Sequence, residues 1–405
     1  MVFFKKNKQK NKPARIGIDA RFYGPPGKGL GRYAQEIVDN ILERDKENQY
    51  VIFLNSENYG ELTVNNDNVE KILTDVRWYT VKEQLIMPFL IWKKKLDLIH
   101  FPHFNVPVLT PTKFVVTIHD LILTKFPTPR ASTLGPFLYK IKNSAYKITI
   151  NTAVKRAEKI FAVSEFTKKD IMDKFNVQAA KIKVTYEGVA ENFQQKKHSS
   201  LYKDTNLSDD KKMLLSYNIK KDFFLYVGNA YPHKNLEKLL DVFNEFNRRY
   251  PDKQLVLVGK EDYFYKRLKE KARKDGLWTE KKDGLPVVFA GYVKDEDLRI
   301  LYKNALAYVF PSMYEGFGLP PLEAMANNCL VLSSDKASMP EILGEAAIYF
   351  NPEKSKDILD KLEKAIHLER SESEKMKEKG KKQVEKYSWQ ECARETHKVY
   401  ISITG

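Results

Sequence analysis

Cysteine is nearly absent: only Cys329 and Cys392 occur among 405 residues, far apart, the first inside an apolar run. That scarcity excludes a secreted disulfide scaffold and makes a reducing cytoplasm the expected compartment. Long hydrophobic runs are missing too. No apolar stretch reaches the roughly 18 residues of a membrane-spanning helix. Met1-Val-Phe-Phe4 is too short for the core of an export signal, so the chain is expected neither to cross a membrane nor to be exported by the usual route. Acidic residues are lacking in two places. Residues 1–15 carry Lys5, Lys6, Lys8, Lys10, Lys12 and Arg15 and no acid, and residues 121–157 carry Lys125, Arg130, Lys140, Lys142, Lys147, Lys155 and Arg156 and again none. The net charge of +16 is therefore unevenly placed. Also absent are the G-x-G-x-x-G dinucleotide fingerprint and any regular spacing of metal ligands.

At 405 residues with 42% hydrophobic content, the chain exceeds what one core usually serves, and two domains of roughly 200 residues are expected. A strand, loop and helix plan recurs along it, the mark of an α/β protein. Arg15 to Ala20 reads as a first strand, followed by a turn crowded with Gly27, Gly29 and Gly31, and then by helical periodicity through Ile37, Ile41 and Leu42. Val81 to Lys95 reads as a helix, apolar through Leu85, Met87, Phe89, Leu90 and Trp92 and closed by three lysines, which suit a helix C-terminus. Leu98–Phe101 and Lys113–Asp120 look like buried parallel strands, the second ending in His119-Asp120 at the carboxyl edge where α/β sites are built. Lys159–Ser164 is a further strand, with Ser164 capping the helix that follows. Gln194 to Lys212 is polar and reads as a linker. The plan restarts with the strand Phe223–Gly228, the loop Asn229-Ala-Tyr-Pro-His-Lys-Asn235 and a helix from Leu236.

The densest signal is Pro311-Ser-Met-Tyr-Glu-Gly-Phe-Gly-Leu-Pro-Pro-Leu-Glu323, between the strand Ala307–Phe310 and a helix starting near Pro321. Glu315 and Glu323 bracket a glycine loop eight residues apart. Free backbone N–H groups at the helix start favour an anion, and Gly316 and Gly318 let the backbone approach a ligand. One carboxylate then addresses a ligand from the loop and the other accepts hydroxyl hydrogen bonds from the helix. Spacing alone serves a tight loop with two surface glutamates equally well. His100, His103 and His119 are enough imidazoles for zinc, but they lack metal-ligand spacing and no metal is assigned. Asp295-Glu-Asp297 superficially matches a D-x-D metal motif and reads instead as the cap of a helix Leu298–Asn304.

The Glu315-to-Glu323 stretch resembles the E-x7-E signature of the retaining nucleotide-sugar glycosyltransferases of family 4. Their fold is GT-B: two Rossmann-like doubly wound α/β domains facing across a cleft, with a C-terminal helix crossing back to the first domain. The Pro232-His-Lys-Asn235 loop, the Val163-Ser164 element and Met339-Pro-Glu-Ile-Leu-Gly344 are similar to further motifs of the family, in the right order over nearly the whole chain. The charge distribution sets off a basic disordered tail over 1–14, and the resemblance implies an acceptor domain over 15–210, a nucleotide-sugar domain over 211–386, and a returning helix over 387–405. It implies catalytic roles for Glu315, Lys234 and His119: Glu315 on a donor sugar hydroxyl, Lys234 on the leaving diphosphate, His119 on the donor sugar. Glu323 is implied to hold the ribose hydroxyls. Gly316 and the N–H groups of Phe317, Gly318 and Leu319 would lie along the donor. Gly29 and Gly31 would lie near phosphate and acceptor. Asn229 stands where many relatives carry an arginine, which leaves Lys234 as the main cationic phosphate ligand. No cofactor is expected, since the nucleotide sugar is a co-substrate.

The expected partners are a nucleotide diphosphate sugar and a glycan or lipid-linked acceptor, with the P-H-K-N loop tilting the donor toward GDP-mannose. A UDP-glucose-dependent transferase of the same fold is the alternative, and a silent lipid- or nucleic-acid-binding scaffold is another. The basic tail beside Val2-Phe3-Phe4 resembles a weak anchor for an anionic membrane surface, and equally a solvated tail. The acid-free stretch, interleaved with Phe126, Phe137, Leu138, Tyr139 and Tyr146, suits a peripheral membrane face, a phosphate-bearing acceptor, a single nucleic-acid strand or a solvated helix face. Without a recognition motif, nucleic acid is not expected.

Overall fold

The computed structural model describes residues 12–24, 28–64, 66–126, 136–190, 193, 207–280 and 284–405. The first eleven residues of the tail, Gly27, Arg130 and the linker from 194 to 206 lie outside them. Two wholly parallel sheets organise the rest. The first holds β1 (Arg15–Asp19), β2 (Gln49–Leu54), β3 (Val69–Leu73), β4 (Leu98–Phe101), β5 (Phe114–Ile118), β6 (Lys159–Ala162) and β7 (Ile182–Val184), in the order β3-β2-β1-β4-β5-β6-β7. The second holds β8 (Asp222–Val227), β9 (Lys253–Val258), β10 (Val287–Gly291), β11 (Ala307–Phe310), β12 (Val331–Ser334) and β13 (Ile348–Phe350), ordered β10-β9-β8-β11-β12-β13. Their central strands read as continuous apolar runs because helices cover both faces. Helix Lys28–Arg44 lays Tyr33, Ile37 and Ile41 on one face of the first sheet, and Met87, Ile91, Ile150 and Val154 pack on the other. One core runs through the second domain.

In each sheet the strand order reverses once, between β1 and β4 and between β8 and β11. A crevice opens at the carboxyl ends of such a pair. Lys234 and Glu315 follow β8 and β11, the two strands of the second crevice.

The final helix, Trp389–Thr404, returns to the first domain, as GT-B requires. Tyr400 Oη lies 2.5 Å from His100 Nδ1, and His397 Nε2 lies 2.8 Å from Asp45 Oδ2. A Cβ on Gly188 would stand 2.4 Å from Trp389 N, so the helix seats only because residue 188 has no side chain.

Three expectations shift. Gly29 and Gly31 sit in the first turn of helix Lys28–Arg44, not in a loop. Gly31 is required by packing, since a Cβ there would meet Gly24 O at 2.1 Å, whereas Gly29 faces open space. The acids Asp295 to Asp297 are the first turn of helix Asp295–Asn304, where they complement the helix dipole, and Lys294 is the cap position. The end of the polar segment is helical, forming the start of Leu207–Ser216.

Candidate functional site

The loop after β11 is held by backbone geometry before any side chain acts. Gly316 runs so close to the first domain that a Cβ would lie 1.8 Å from His119 O. Gly318, with φ of 96°, precedes helix Leu319–Ala326 in a left-handed conformation that glycine adopts freely. Pro320 and Pro321 have no N–H, so the unpaired donors of this helix start reduce to Gly318 and Leu319. Ser338 Oγ donates to Glu315 O at 3.0 Å, and Ser164 Oγ of the first domain donates to Gly316 O at 2.6 Å. Phe317 is buried, its ring against Tyr186 and Tyr387, so only its backbone is available to a ligand.

Glu315 and Lys234 meet at 2.5 Å, both nearly buried. Lys234 ends the short turn Pro232–Lys234, and Asn235 behind it is left-handed, φ 60°, which aims the lysine back over the strand ends. His233 O accepts from Met313 N at 2.7 Å, tying the two loops together. Asn229 closes its own turn, its Oδ1 accepting from Tyr231 N at 3.3 Å.

From the first domain, Asp120 faces this pair. Burial pushes its carboxyl up and Glu315 adds to the rise, while the Ile122 N–H, His119 and Lys234 pull it down. His119 Nε2 donates to Pro102 O at 2.9 Å and Nδ1 faces Glu187 Oε1 at 3.1 Å. Burial would lower the imidazole pKa, but the Glu187 carboxylate and the Pro102 carbonyl outweigh it and hold the value above normal. Both nitrogens of His119 are therefore committed within its own domain. His100 likewise bonds Tyr400 and Thr117, and burial pushes it down to about 3. His103 packs on Phe22 and Phe104.

Glu323 is buried and spoken for from across the cleft. Arg32 Nη1 donates to its Oε1 at 2.5 Å while Arg32 Nη2 lies 3.4 Å from Asp295 Oδ2. Burial raises the Glu323 carboxyl, Arg32 opposes that, and Asp295 reinforces it. Arg32 follows the glycines in sequence, yet only the acid facing it in space shows its place.

A second contact fixes the domains relative to each other. Glu341 of the second domain accepts from Glu165 N at 2.7 Å and Phe166 N at 2.8 Å, capping the helix Glu165–Phe175 of the first domain. Tyr314 Oη donates to Asp170 beside it. Ser164 and Glu341 each lie in a motif read from the sequence; that Glu341 meets the helix start after Ser164 is a tertiary fact. On the first-domain wall, Trp78 stacks on Phe22 with ring centroids 4.2 Å apart. Behind them Arg21 is buried with Asp19 and Glu83, at 2.7 and 2.6 Å. Among the described residues no group of three or more His, Cys, Asp and Glu is arranged to hold a metal ion.

The two-sheet architecture agrees with what the chain is similar to. Glycosyltransferase Family 4 matches residues 28–193 and Glycosyl transferases group 1 matches residues 210–383. The O-antigen chain mannosyltransferase RfbU of Salmonella typhimurium is 29% identical over 72% of this chain and 71% of its own. Among solved structures, sucrose-phosphate synthase from Thermosynechococcus elongatus superposes with a TM-score of 0.74 at 16% identity, over 96% of this chain and 99% of that one. Anabaena HepE in complex with UDP-glucose gives 0.70, again at 16% identity, over 96% and 99%. The chain belongs to the family 4 glycosyltransferases of GT-B fold, its second half being their group 1 domain.

Proposed function

We propose that the protein is a retaining hexosyltransferase that moves mannose from GDP-mannose to a hydroxyl of a glycan or lipid-linked acceptor, in the cytoplasm. The observation that carries this reading is the Lys234–Glu315 pair at the second crevice, against a glycine-clamped loop. In the proposed reaction the bond between the sugar C1 and the diphosphate oxygen breaks and the acceptor oxygen bonds to C1 on the same face. The acceptor proton passes to the departing phosphate. Lys234 neutralises that phosphate, a charge stabilisation of the kind preorganised donors supply. Glu315 accepts from a sugar hydroxyl, and the N–H groups of Phe317, Gly318 and Leu319 line the donor. Glu323 takes the ribose hydroxyls once Arg32 has moved off it. The flat pair Phe22 and Trp78 offers apolar area to an acceptor sugar ring. The mannosyl assignment is supported by the similarity to RfbU.

The test is to incubate the protein with GDP-mannose or UDP-glucose and a mannose-terminated acceptor. Nucleotide release is followed, and the anomeric configuration of the product is read by NMR. Retention with GDP-mannose is the expected result. Inversion would overturn the mechanism, and turnover with UDP-glucose alone would replace the donor.

A further inference from the structure

Helix Val81–Lys94 has two apolar faces, and only one is used by the fold. Met87 and Ile91 are fully buried against the first sheet. Outward, Val81, Leu85, Phe89 and Trp92 are 78, 67, 57 and 66% exposed, a stripe running the length of the helix. Single exposed apolar residues are ordinary on a protein surface, but a continuous stripe marks something that covers it. The stripe continues sideways. Gln84 Oε1 accepts from Val108 N at 2.8 Å, which sets the exposed Leu109 beside the helix. Arg156 donates to Val108 O and Thr110 O, which joins helix Pro136–Arg156 to the same loop. That helix adds Ile141 and Ile148, both exposed.

The exposed charge of the two helices is positive, with Glu70 and Asp97 the acids beside the C-terminal end of the first, where Glu70 pairs with Lys94. Lys82, Lys93 and Lys95 are exposed on the first helix and Lys140, Lys142 and Lys147 on the second. The one acid of the first helix, Glu83, is buried with Arg21 and Asn105, and residues 136–156 contain none. Lys12, where the described chain begins, lines one recess with Arg15, Lys93, Lys94 and Lys95, and with Asp97 and Gly405. The preceding sequence, with Phe3, Phe4, Lys5, Lys6, Lys8 and Lys10, therefore joins the molecule at the Trp92 end of the stripe.

We propose that this face, helix Val81–Lys94 with Leu109, Ile141 and Ile148, docks on an anionic lipid bilayer. Leucine, phenylalanine and tryptophan enter the headgroup boundary while the lysines reach the phosphates, as interfacial helices do. A second copy of the chain fits poorly, because a two-fold contact would set the same lysines against one another. The stripe begins two residues after Tyr79, which meets His103 at the carboxyl edge of the first sheet, so a bilayer on this face lies at the rim of the cleft. The inference goes beyond the proposed reaction and needs no nucleotide to be tested.

The full chain is sedimented with vesicles of phosphatidylglycerol and phosphatidylcholine, and with phosphatidylcholine alone. Binding to the anionic vesicles is expected, weakening with salt. The variant Leu85→Ser, Phe89→Ser, Trp92→Ser is expected to lose at least about tenfold in partitioning, and Lys140→Glu with Lys147→Glu to lose the preference for anionic lipid. Both variants leave the buried face alone, so their melting midpoints and nucleotide binding should match the parent. Should the triple variant misfold, Phe89→Ser and the lysine variant decide the matter. Undiminished vesicle binding by the folded variants would overturn the proposal. So would a parent protein that ignores anionic vesicles, or a dimer that Phe89→Ser dissociates.

Discussion

Replacing Arg32 by alanine should destabilise the empty protein and yet tighten its hold on nucleotide. Breaking a buried ion pair costs about 3–5 kcal/mol and breaking an exposed one about 0.2–1 kcal/mol. With the guanidinium 30% exposed and the Glu323 carboxylate 8%, a loss of about 1–2 kcal/mol is expected. For a domain of this size that lowers the melting midpoint by about 2–8 °C. The loss has a sign in pH. Burial puts the folded Glu323 pKa above its unfolded value, so its contribution turns unfavourable as pH rises from the ordinary carboxylate range through that raised value. Arg32 softens this, so the variant's deficit should be small near pH 4 and largest near pH 8. Nucleotide reverses the ranking, because ribose hydroxyls displace Arg32 in the parent and displace nothing in the variant. GDP should bind the variant about 5- to 30-fold more tightly. Calorimetric titration with GDP and melts across pH read both effects. Weaker GDP binding by Arg32→Ala would refute the reasoning and make Arg32 a nucleotide ligand.

Glu341→Ala removes two charge-assisted hydrogen bonds at a helix N-terminus. It should shift the balance between closed and open domains by about 1–2 kcal/mol, seen as a larger radius of gyration in small-angle scattering; an unchanged radius would show that closure does not depend on this cap. Gly316→Ala drives a methyl onto His119 O at 1.8 Å, with a cost of about 1–3 kcal/mol and loss of transfer, measured by calorimetry and nucleotide release. Parent-like values would mean the loop moves freely. His119 should titrate above an ordinary histidine by NMR, and Glu187→Gln should bring it down, since burial then prevails. The stability it contributes is full below about pH 6.5 and is lost as pH rises through the raised value. Lys234→Ala should slow transfer by at least about 100-fold while the far-ultraviolet circular dichroism stays unchanged.

Contiguous features were legible in the sequence. Glu315, the glycines and Glu323 lie within nine residues, and Lys234 sits between a strand and a helix that periodicity marks clearly. Features assembled across the chain were not. Arg32 and Glu323 are 291 residues apart, and nothing in the run after Gly31 announces its partner. Glu341 capping Glu165 and Phe166 is hidden in the same way. The pattern of residues 81–94 is apolar on opposite sides, with Met87 and Ile91 on one and Leu85, Phe89 and Trp92 on the other, so periodicity could not say which side the sheet takes. Gly29 and Gly31 looked like one loop because glycine is read as a breaker. The helix starts at Lys28 regardless, since Gly31 is needed there for close packing. His119 was placed at the cleft by its position after β5, and its ring is occupied by Glu187, which arrives after β7.

The most direct test is nucleotide binding to the purified full chain in the absence of metal. GDP, UDP and ADP and their sugars are titrated against the parent, Lys234→Ala and Glu315→Ala, with melting midpoint and heat as readouts. Selective stabilisation by one diphosphate, GDP on this account, and its loss in Lys234→Ala is the predicted result. A folded parent that no nucleotide stabilises, or equal binding by parent and Lys234→Ala, would contradict a donor site built on Lys234 and Glu315.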